Sequence, residues 1–276
     1  MRITVLLENS VHRAGLRAEH GFSAHIRRGG NSILFDAGQT GLVASNAAAL
    51  GIDLGGVEAV ALSHGHYDHT GGLEAVLDAA PGARVFLHPE AFAAKYSRGS
   101  DGHARFIGMS GAIAAKVRSR ENQVIPTPSP AQIGDGVFVT GEVPRLTWFE
   151  DVGGAFFLDA ECARPDPLQD DQALVVDLGS ELAVVLGCGH AGVVNTLEHA
   201  RALMGGKPVR AVLGGMHLGS ASEHRLEETV RYLQGLDLRL LAPAHCTGWA
   251  ATARLLQAFP SVCRPADVGA RFELPA

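Results

Sequence analysis

A mixed α/β fold is what the order of apolar segments predicts. Short apolar runs that read as strands, at residues 57–62, 84–87, 209–213 and 238–241, alternate with stretches whose apolar residues recur at helical spacing. Alternation of this kind packs helices onto sheets. Turn signals are the second observation: Gly29-Gly30-Asn31 and Gly179-Ser180-Glu181 each separate two apolar runs, as hairpins do. The third is the placement of histidines. His64 to His69, His190, His217 and His245 each follow a predicted strand, in a glycine- or proline-marked loop before a helix. In open α/β sheets such strand ends share one edge, and ligands bind there.

The elements follow in order. Residues 3–7 form a first strand, and a polar stretch from 8 to 21 leads through Glu19-His20-Gly21-Phe22-Ser23 into a second, ending near Arg28. Its hairpin partner ends on Phe35-Asp36-Ala37-Gly38, where Asp36 reads as a turn carboxylate or as an acid that orients a ligand loop. The alanine-rich residues 40–50 are helical and are broken by Gly51-Ile52-Asp53. The strand at 57–62 runs into the histidine loop, after which Leu73, Val76 and Leu77 share a helix face. Pro81-Gly82 turns the chain into the strand at 84–87, and His88-Pro89-Glu90 opens a short helix. From 97 to 119 the pattern weakens. This reads as an insertion, reaching to about 130, that borders the active site of a single domain over 1–276. Pro126-Thr127-Pro128-Ser129-Pro130 stiffly joins the two halves.

The second half restarts with a strand at 137–142 and a polar segment over 159–171. A hairpin at 173–178 and 182–186, a helix at 193–204 and a strand at 209–213 come next. Ser220-Ala221-Ser222-Glu223 reads as a capping box opening a helix to Gln234. A strand at 238–241, a helix to about Phe259 and a closing strand at 271–274 complete the chain.

With 276 residues, 46% of them hydrophobic, the chain can bury a sizeable core. A net charge of −6 argues against a nucleic-acid surface, which needs phosphate-neutralising cations. Arginines 98, 105, 118 and 120 cluster locally and suit a small anionic substrate. No apolar run reaches membrane-spanning length, and the apolar start is too short for a signal peptide. The four cysteines form no Cys-x-x-Cys pair and read as reduced, so a cytoplasmic protein without membrane or nucleic-acid partners is expected, with a homodimer as one option. Cys188 and Cys246 adjoin candidate ligand histidines, though free cysteine is also a common small core filler.

Chemistry concentrates in His64-Gly65-His66-Tyr67-Asp68-His69. In an extended loop, residues two apart point the same way, so His64 and His66 can share one cation. Asp68 and His69 follow the turn and can reach a second. Imidazole and carboxylate suit zinc, and also iron or manganese.

This motif resembles the signature of the metallo-β-lactamase-fold superfamily. The resemblance implies a four-layer αββα sandwich with a one- or two-metal site at one edge, and gives Asp36 the orienting role. Glu19-His20-Gly21-Phe22-Ser23, Gly187-Cys188-Gly189-His190, Gly214-Gly215-Met216-His217-Leu218 and Ala244-His245-Cys246-Thr247-Gly248 narrow it to a dihydropterin-methyl-ribofuranosylaminobenzene-phosphate synthase-like subgroup. The ligand set so implied is His64, His66 and His190 for one divalent cation and Asp68, His69 and His245 for the other. Asp171, with Asp170 beside it, is the expected bridging carboxylate, although the order of acid and histidine is exchanged relative to the superfamily pattern. Cys188 is the lesser option for that position. His20 is expected to face the second shell of groups or the substrate, and His217 to contact substrate or protonate its leaving group.

The leading functional expectation is a dinuclear hydrolase that activates water against a phosphoester, ester or lactone, with Asp68 taking the proton. Carbon–nitrogen bond formation between a pterin and a ribosyl-aminobenzene phosphate is the alternative enzyme. A metal-containing sensor without turnover is the alternative from another class.

Overall fold

The computed structural model describes residues 1–99 and 101–275; Ser100, inside the expected insertion, and Ala276 lie outside the described residues. Two mixed sheets form the centre. The first has the strand order Arg271–Glu273, Arg2–Leu7, Ser23–Arg28, Asn31–Phe35, Ala59–Ala61, Arg84–Leu87, Val124–Pro126. The second has the order Leu240–Ala244, Val209–Gly215, Leu182–Leu186, Leu174–Asp177, Val137–Val139, Ala131–Gly134. Both expected hairpins pair antiparallel, Arg28 opposite Asn31 and Asp177 opposite Leu182. The strands reached through helices pair parallel, as crossover connections require.

Side-chain alternation divides the core into three apolar layers. Ile3, Val5, Ile26, Ile33 and Phe35 of the first sheet meet Val137, Val176, Val185 and Leu213 of the second. On the first sheet's other face, Leu34, Val60 and Val85 pack on Val43, Val76 and Leu77 of the helices Leu42–Ala49 and Leu73–Ala79. On the second sheet's other face, Val184, Val212 and Leu241 pack on Leu197, Leu233 and Leu255, one from each of the helices Val193–Leu203, Glu223–Gln234 and Trp249–Ala258. Period-two burial on both faces of both sheets therefore gives helix, sheet, sheet, helix: the αββα sandwich. No helix among the described residues is long and apolar enough to cross a membrane.

Three local expectations need correction. The segment from 97 to 119 is more regular than its sequence suggests. Tyr96–Arg98 pairs with Ala104–Phe106 and with Phe156–Phe157 in a small third sheet, followed by the helix Gly111–Arg118. These strands are too short and too exposed for an alternating pattern to register, and the Phe156–Phe157 partner is remote in sequence. The helix at Glu223 is capped by Ser222, whose hydroxyl accepts from the Arg225 N–H at 3.1 Å, rather than by a box starting at Ser220. The loop carrying the histidine motif also becomes helical early: Tyr67–Thr70 is one helical turn, with His66 in extended geometry before it. That turn swings Asp68 and His69 away from the line of His64 and His66.

Candidate metal centre

Strand ends and the loops after them assemble the site. The strand Ala59–Ala61 delivers Ser63, His64 and His66; Leu182–Leu186 delivers Cys188 and His190; Val209–Gly215 delivers His217; Leu240–Ala244 delivers His245 and Cys246. The three parallel strands of the second sheet end together, and the Ala59–Ala61 strand of the first sheet brings its loop to the same place, so residues far apart in sequence meet at one edge of the sandwich. His64, His66, His69 and His190 are buried, with ring centroids of His64 lying 4.4, 4.3 and 4.8 Å from those of His66, His69 and His190. His69 and His245 lie 5.1 Å apart by the same measure.

Four of these imidazoles are tied down at Nδ1. His69 donates to Asp36 Oδ2 at 2.7 Å, His190 to the Val152 carbonyl at 2.8 Å, and His245 to Asn9 Oδ1 at 2.9 Å. Ser63 Oγ donates to Asp36 Oδ2 at 2.7 Å, which leaves it to accept from His64 Nδ1 at 2.8 Å. For His64, His190 and His245 the arrangement puts the proton on Nδ1 and leaves the Nε2 lone pair facing inward, the state of a metal-binding histidine; His69, orientated the same way, must give up its Nε2 proton to bind a cation. His66 Nε2 and His190 Nε2 are buried and have no hydrogen-bond partner. An unpaired buried nitrogen costs free energy unless something accepts its lone pair. A divalent cation does so, and the donor set fits one.

Asp36 anchors the loop. It is fully buried, and its Oδ1 accepts the Ser63 N–H at 2.7 Å while Oδ2 serves Ser63 Oγ and His69. Gly187 is what makes room: a Cβ there would lie 2.1 Å from Ser63 Oγ and 2.7 Å from Asp36 Oδ2.

The donor atoms fall into overlapping groups, each within 4.8 Å: His64, His66 and His190; His64, His69 and Cys188; His20, Asp68 and His245; Cys188, His190 and His217; Cys188, His245 and Cys246. The triad expected for the first cation is thus brought together. His20, half-exposed, has Nε2 at 3.1 Å from Asp68 Oδ2, and His245 Nε2 lies at 3.4 Å from the same oxygen. His217 stacks on His190 with centroids 4.3 Å apart.

The carboxylates expected to bridge the cations stand outside every donor group among the described residues. Asp170 has both oxygens occupied, Oδ1 by Lys95 Nζ at 2.9 Å and Oδ2 by the Gly65 N–H at 2.7 Å. Asp171 Oδ2 accepts the Ala191 N–H at 2.8 Å, its Oδ1 is buried without a hydrogen-bond partner, and Asp171 belongs to none of the donor groups among the described residues. Asp170 therefore braces the loops beside the site, while Cys188 belongs to three of the donor groups. Its Sγ lies 3.2 Å from His69 Nε2.

Electrostatics follow burial. Desolvation, reinforced by the neighbouring imidazoles, holds His64 and His190 well below their usual range. Desolvation also lowers His66, to about 3. Burial works against the His69 cation too, but Asp36 and Asp68 outweigh it and raise His69 to about 9. Burial alone would raise Asp68; His69, His20 and His245 reverse that and hold it well below the carboxylate range. Desolvation lifts Asp171 to about 7.

Above these groups opens a cavity of about 210 Å³ whose wall includes Tyr67, Arg105, Phe156 and His217. Of the four arginines expected to form an anion clamp, Arg105 alone lines it, donating to Tyr67 Oη at 2.9 Å. Arg98 bonds the Cys162 carbonyl, Arg118 lies over the Phe92 ring, and Arg120 bonds the Pro81 carbonyl. Several supporting residues escaped the sequence reading: Ser63, Asn9, Lys95 and Val152. Ser63 adjoins the motif and Asn9 follows the first strand, so strand-end position was the available signal; nothing local marks Lys95 or Val152.

A sequence model of the metallo-beta-lactamase superfamily matches residues 17–245. An uncharacterised protein of Methanocaldococcus jannaschii is 31% identical over 92% of this chain and 94% of its own. The 7,8-dihydropterin-6-methyl-4-(beta-D-ribofuranosyl)-aminobenzene-5'-phosphate synthase of the same organism is 27% identical, covering 88% of this chain and 85% of its own. Among solved structures, a metal-dependent hydrolase of the beta-lactamase superfamily superposes with a TM-score of 0.81 at 31% identity, each chain covered in full.

Proposed function

Because the chain belongs to the metallo-β-lactamase superfamily, we propose that it is a hydrolase with a dinuclear centre, acting on a small anionic phosphoester or a related ester or lactone. The observation that carries this reading is the convergence of inward-facing imidazole nitrogens, two of them buried and unpartnered, on the floor of a solvent-reaching cavity. His64, His66 and His190 would hold one divalent cation, zinc by donor chemistry, and Asp68, His69 and His245, whose facing atoms lie 3.3–3.9 Å apart, the other. When bound, such cations acidify water and polarise a phosphoryl or carbonyl oxygen.

The chain's own groups supply the rest. Asp68, kept ionised by the surrounding histidines, orients the attacking water and takes its proton at Oδ2. Phe156 packs against the rings of His66 and His190, at 5.3 and 5.2 Å, and keeps bulk water from that side. His217, whose backbone φ of 46° turns its ring into the cavity, donates a proton to the leaving group. Arg105 at the rim draws the substrate's anionic group.

The test compares metal-loaded and chelated protein on phosphodiesters, phosphomonoesters, lactones and thioesters. Metal-dependent turnover on at least one class is expected; none on any removes the hydrolase reading. The similarity to the named synthase supports a second reading, carbon–nitrogen bond formation on a pterin and a phosphorylated ribosyl aromatic. Saturable binding of a reduced pterin to the purified protein is its first requirement, and no binding dismisses it.

A further inference from the structure

Residues 145–154 form no helix or strand, yet they are tied down at nearly every step. The Arg145 guanidinium donates to the His190 and Leu168 carbonyls, both at 2.9 Å. The Leu146 and Thr147 N–H groups donate to Asn195 Oδ1 at 2.8 and 2.9 Å. Asp151 Oδ1 accepts from the buried Arg225 guanidinium at 2.6 Å, and the Gly153 carbonyl accepts from Ser220 Oγ at 3.2 Å. The segment is thus a strap laid across the starts of the helices Val193–Leu203 and Glu223–Gln234.

Glu150 is its central anchor. The helix Val193–Leu203 follows Gly192, which has φ 99° and no side chain to cap the first turn. A helix start carries unpaired N–H groups and the positive end of the helix dipole. Glu150 answers both from outside the helix. Its Oε1 accepts the Val194 N–H and its Oε2 the Asn195 N–H, each at 2.9 Å, and Oε2 also accepts from Thr147 Oγ1 at 2.9 Å. Only glycine at 192 permits this approach, since a Cβ there would lie 2.3 Å from Glu150 Oε2. The residues that follow touch the pocket. The Val152 carbonyl accepts the His190 Nδ1–H at 2.8 Å, and Gly153 lies so close to His217 that a Cβ would stand 2.0 Å from the ring. One residue, Asp151, separates the anchor from the first of these contacts, so a displacement of Glu150 is passed on to them.

We propose that Glu150 is a positioning residue: by capping that helix from outside, it fixes the strap whose Val152 carbonyl and Gly153 backbone hold His190 and His217 in place. The proposal rests on the reading that His190 holds metal and His217 serves the leaving group. Glu150 acts through the strap and stands outside the cavity wall. A carboxylate suits the task because two N–H groups and a hydroxyl must be accepted on two oxygens. Glutamine offers one such oxygen and turns an N–H₂ toward a donor; alanine offers none.

The test uses the zinc-loaded full chain with ¹⁵N-labelled histidine. The His190 Nδ1–H is expected as a downfield proton signal with a nuclear Overhauser contact to Val152. Glu150→Ala should shift or broaden that signal and weaken zinc binding by roughly 10-fold in competition with a chelator, with Glu150→Gln between it and the parent. On esters, kcat should fall further for poor leaving groups than for good ones, with KM little changed, because only a poor leaving group needs the His217 proton. An unmoved His190 signal with parental zinc affinity in Glu150→Ala overturns the proposal. Where circular dichroism shows that Glu150→Ala does not fold, Glu150→Gln decides by the same two readings. A fall in kcat that is uniform across leaving groups overturns the part that concerns His217. Signal and affinity need no substrate, so they decide even if no ester is turned over; turnover beside an unmoved signal retains the hydrolase and loses the role given to Glu150.

Discussion

Asp36, His217 and His245 share a property that no other trio in the site has: each is a non-glycine residue with positive φ, at 58°, 46° and 50°. Such backbone costs on the order of 1–3 kcal/mol per residue and persists where the surroundings over-determine it. Here those surroundings are hydrogen bonds and packing at the site. Asp36 is held by three donors, the His245 N–H donates to the buried Glu8 carboxylate at 2.6 Å, and the His217 ring is packed under Gly153. At this scale the sharpest prediction concerns Asp36→Asn. The amide keeps the volume but removes the carboxylate that fixes the His69 tautomer. Metal affinity should fall by roughly 10- to 100-fold, read by competition with a chelator, while the circular dichroism spectrum stays unchanged. Gly187→Ala is a second case. Its methyl would intrude on Ser63 and Asp36, so bound metal should drop well below that of the parent protein, measured by elemental analysis.

The elements matter through what they hold in place. Lys95 precedes the strand Tyr96–Arg98 and is 1% exposed, with its ammonium 2.9 Å from both Asp166 Oδ2 and Asp170 Oδ1. Asp170 in turn grips the Gly65 N–H. The small third sheet, the loop before Asp171 and the histidine loop are therefore joined through one buried cation. Removing one member of such a network leaves charge uncompensated in the interior. Lys95→Met should cost about 3–5 kcal/mol, seen as a lower urea midpoint. The sequence hid this arrangement. Lysine after a short helical turn looks like any surface lysine, and nothing in the neighbourhood of Asp170 named Lys95 as its partner. The strand-end histidines were legible for the opposite reason: their loops directly follow apolar runs whose direction and burial are set locally.

For the whole molecule, pH dependence away from the metal centre is set in part by His25. It lies buried on the first sheet, and its Nε2 is 2.8 Å from Ser32 Oγ. Desolvation and the nearby Arg27 lower it from 6.5 to about 4. Its folded pKa lies below its unfolded one, so between these values the unfolded chain binds more protons. Stability is then complete above pH 6.5 and is lost as pH falls toward 4. The limiting slope from this one group is roughly 1.4 kcal/mol per pH unit. Urea midpoints of the metal-loaded protein followed across that window should show a shallower decline in His25→Gln than in the parent; equal slopes would refute the assignment.

Sequence alone determined the sandwich's ingredients and the histidine edge. Burial periodicity is a property of each strand by itself, and a strand followed by a glycine-marked loop carries its side chains to the same sheet edge whatever the rest of the chain does. Tertiary structure alone decided which groups meet there. Whether Asp171 or Cys188 stands between the histidine sets depends on how loops from two sheets are laid over one another. That is fixed by long-range partners, Lys95 for Asp170 and the Ala191 amide for Asp171, which no local pattern encodes.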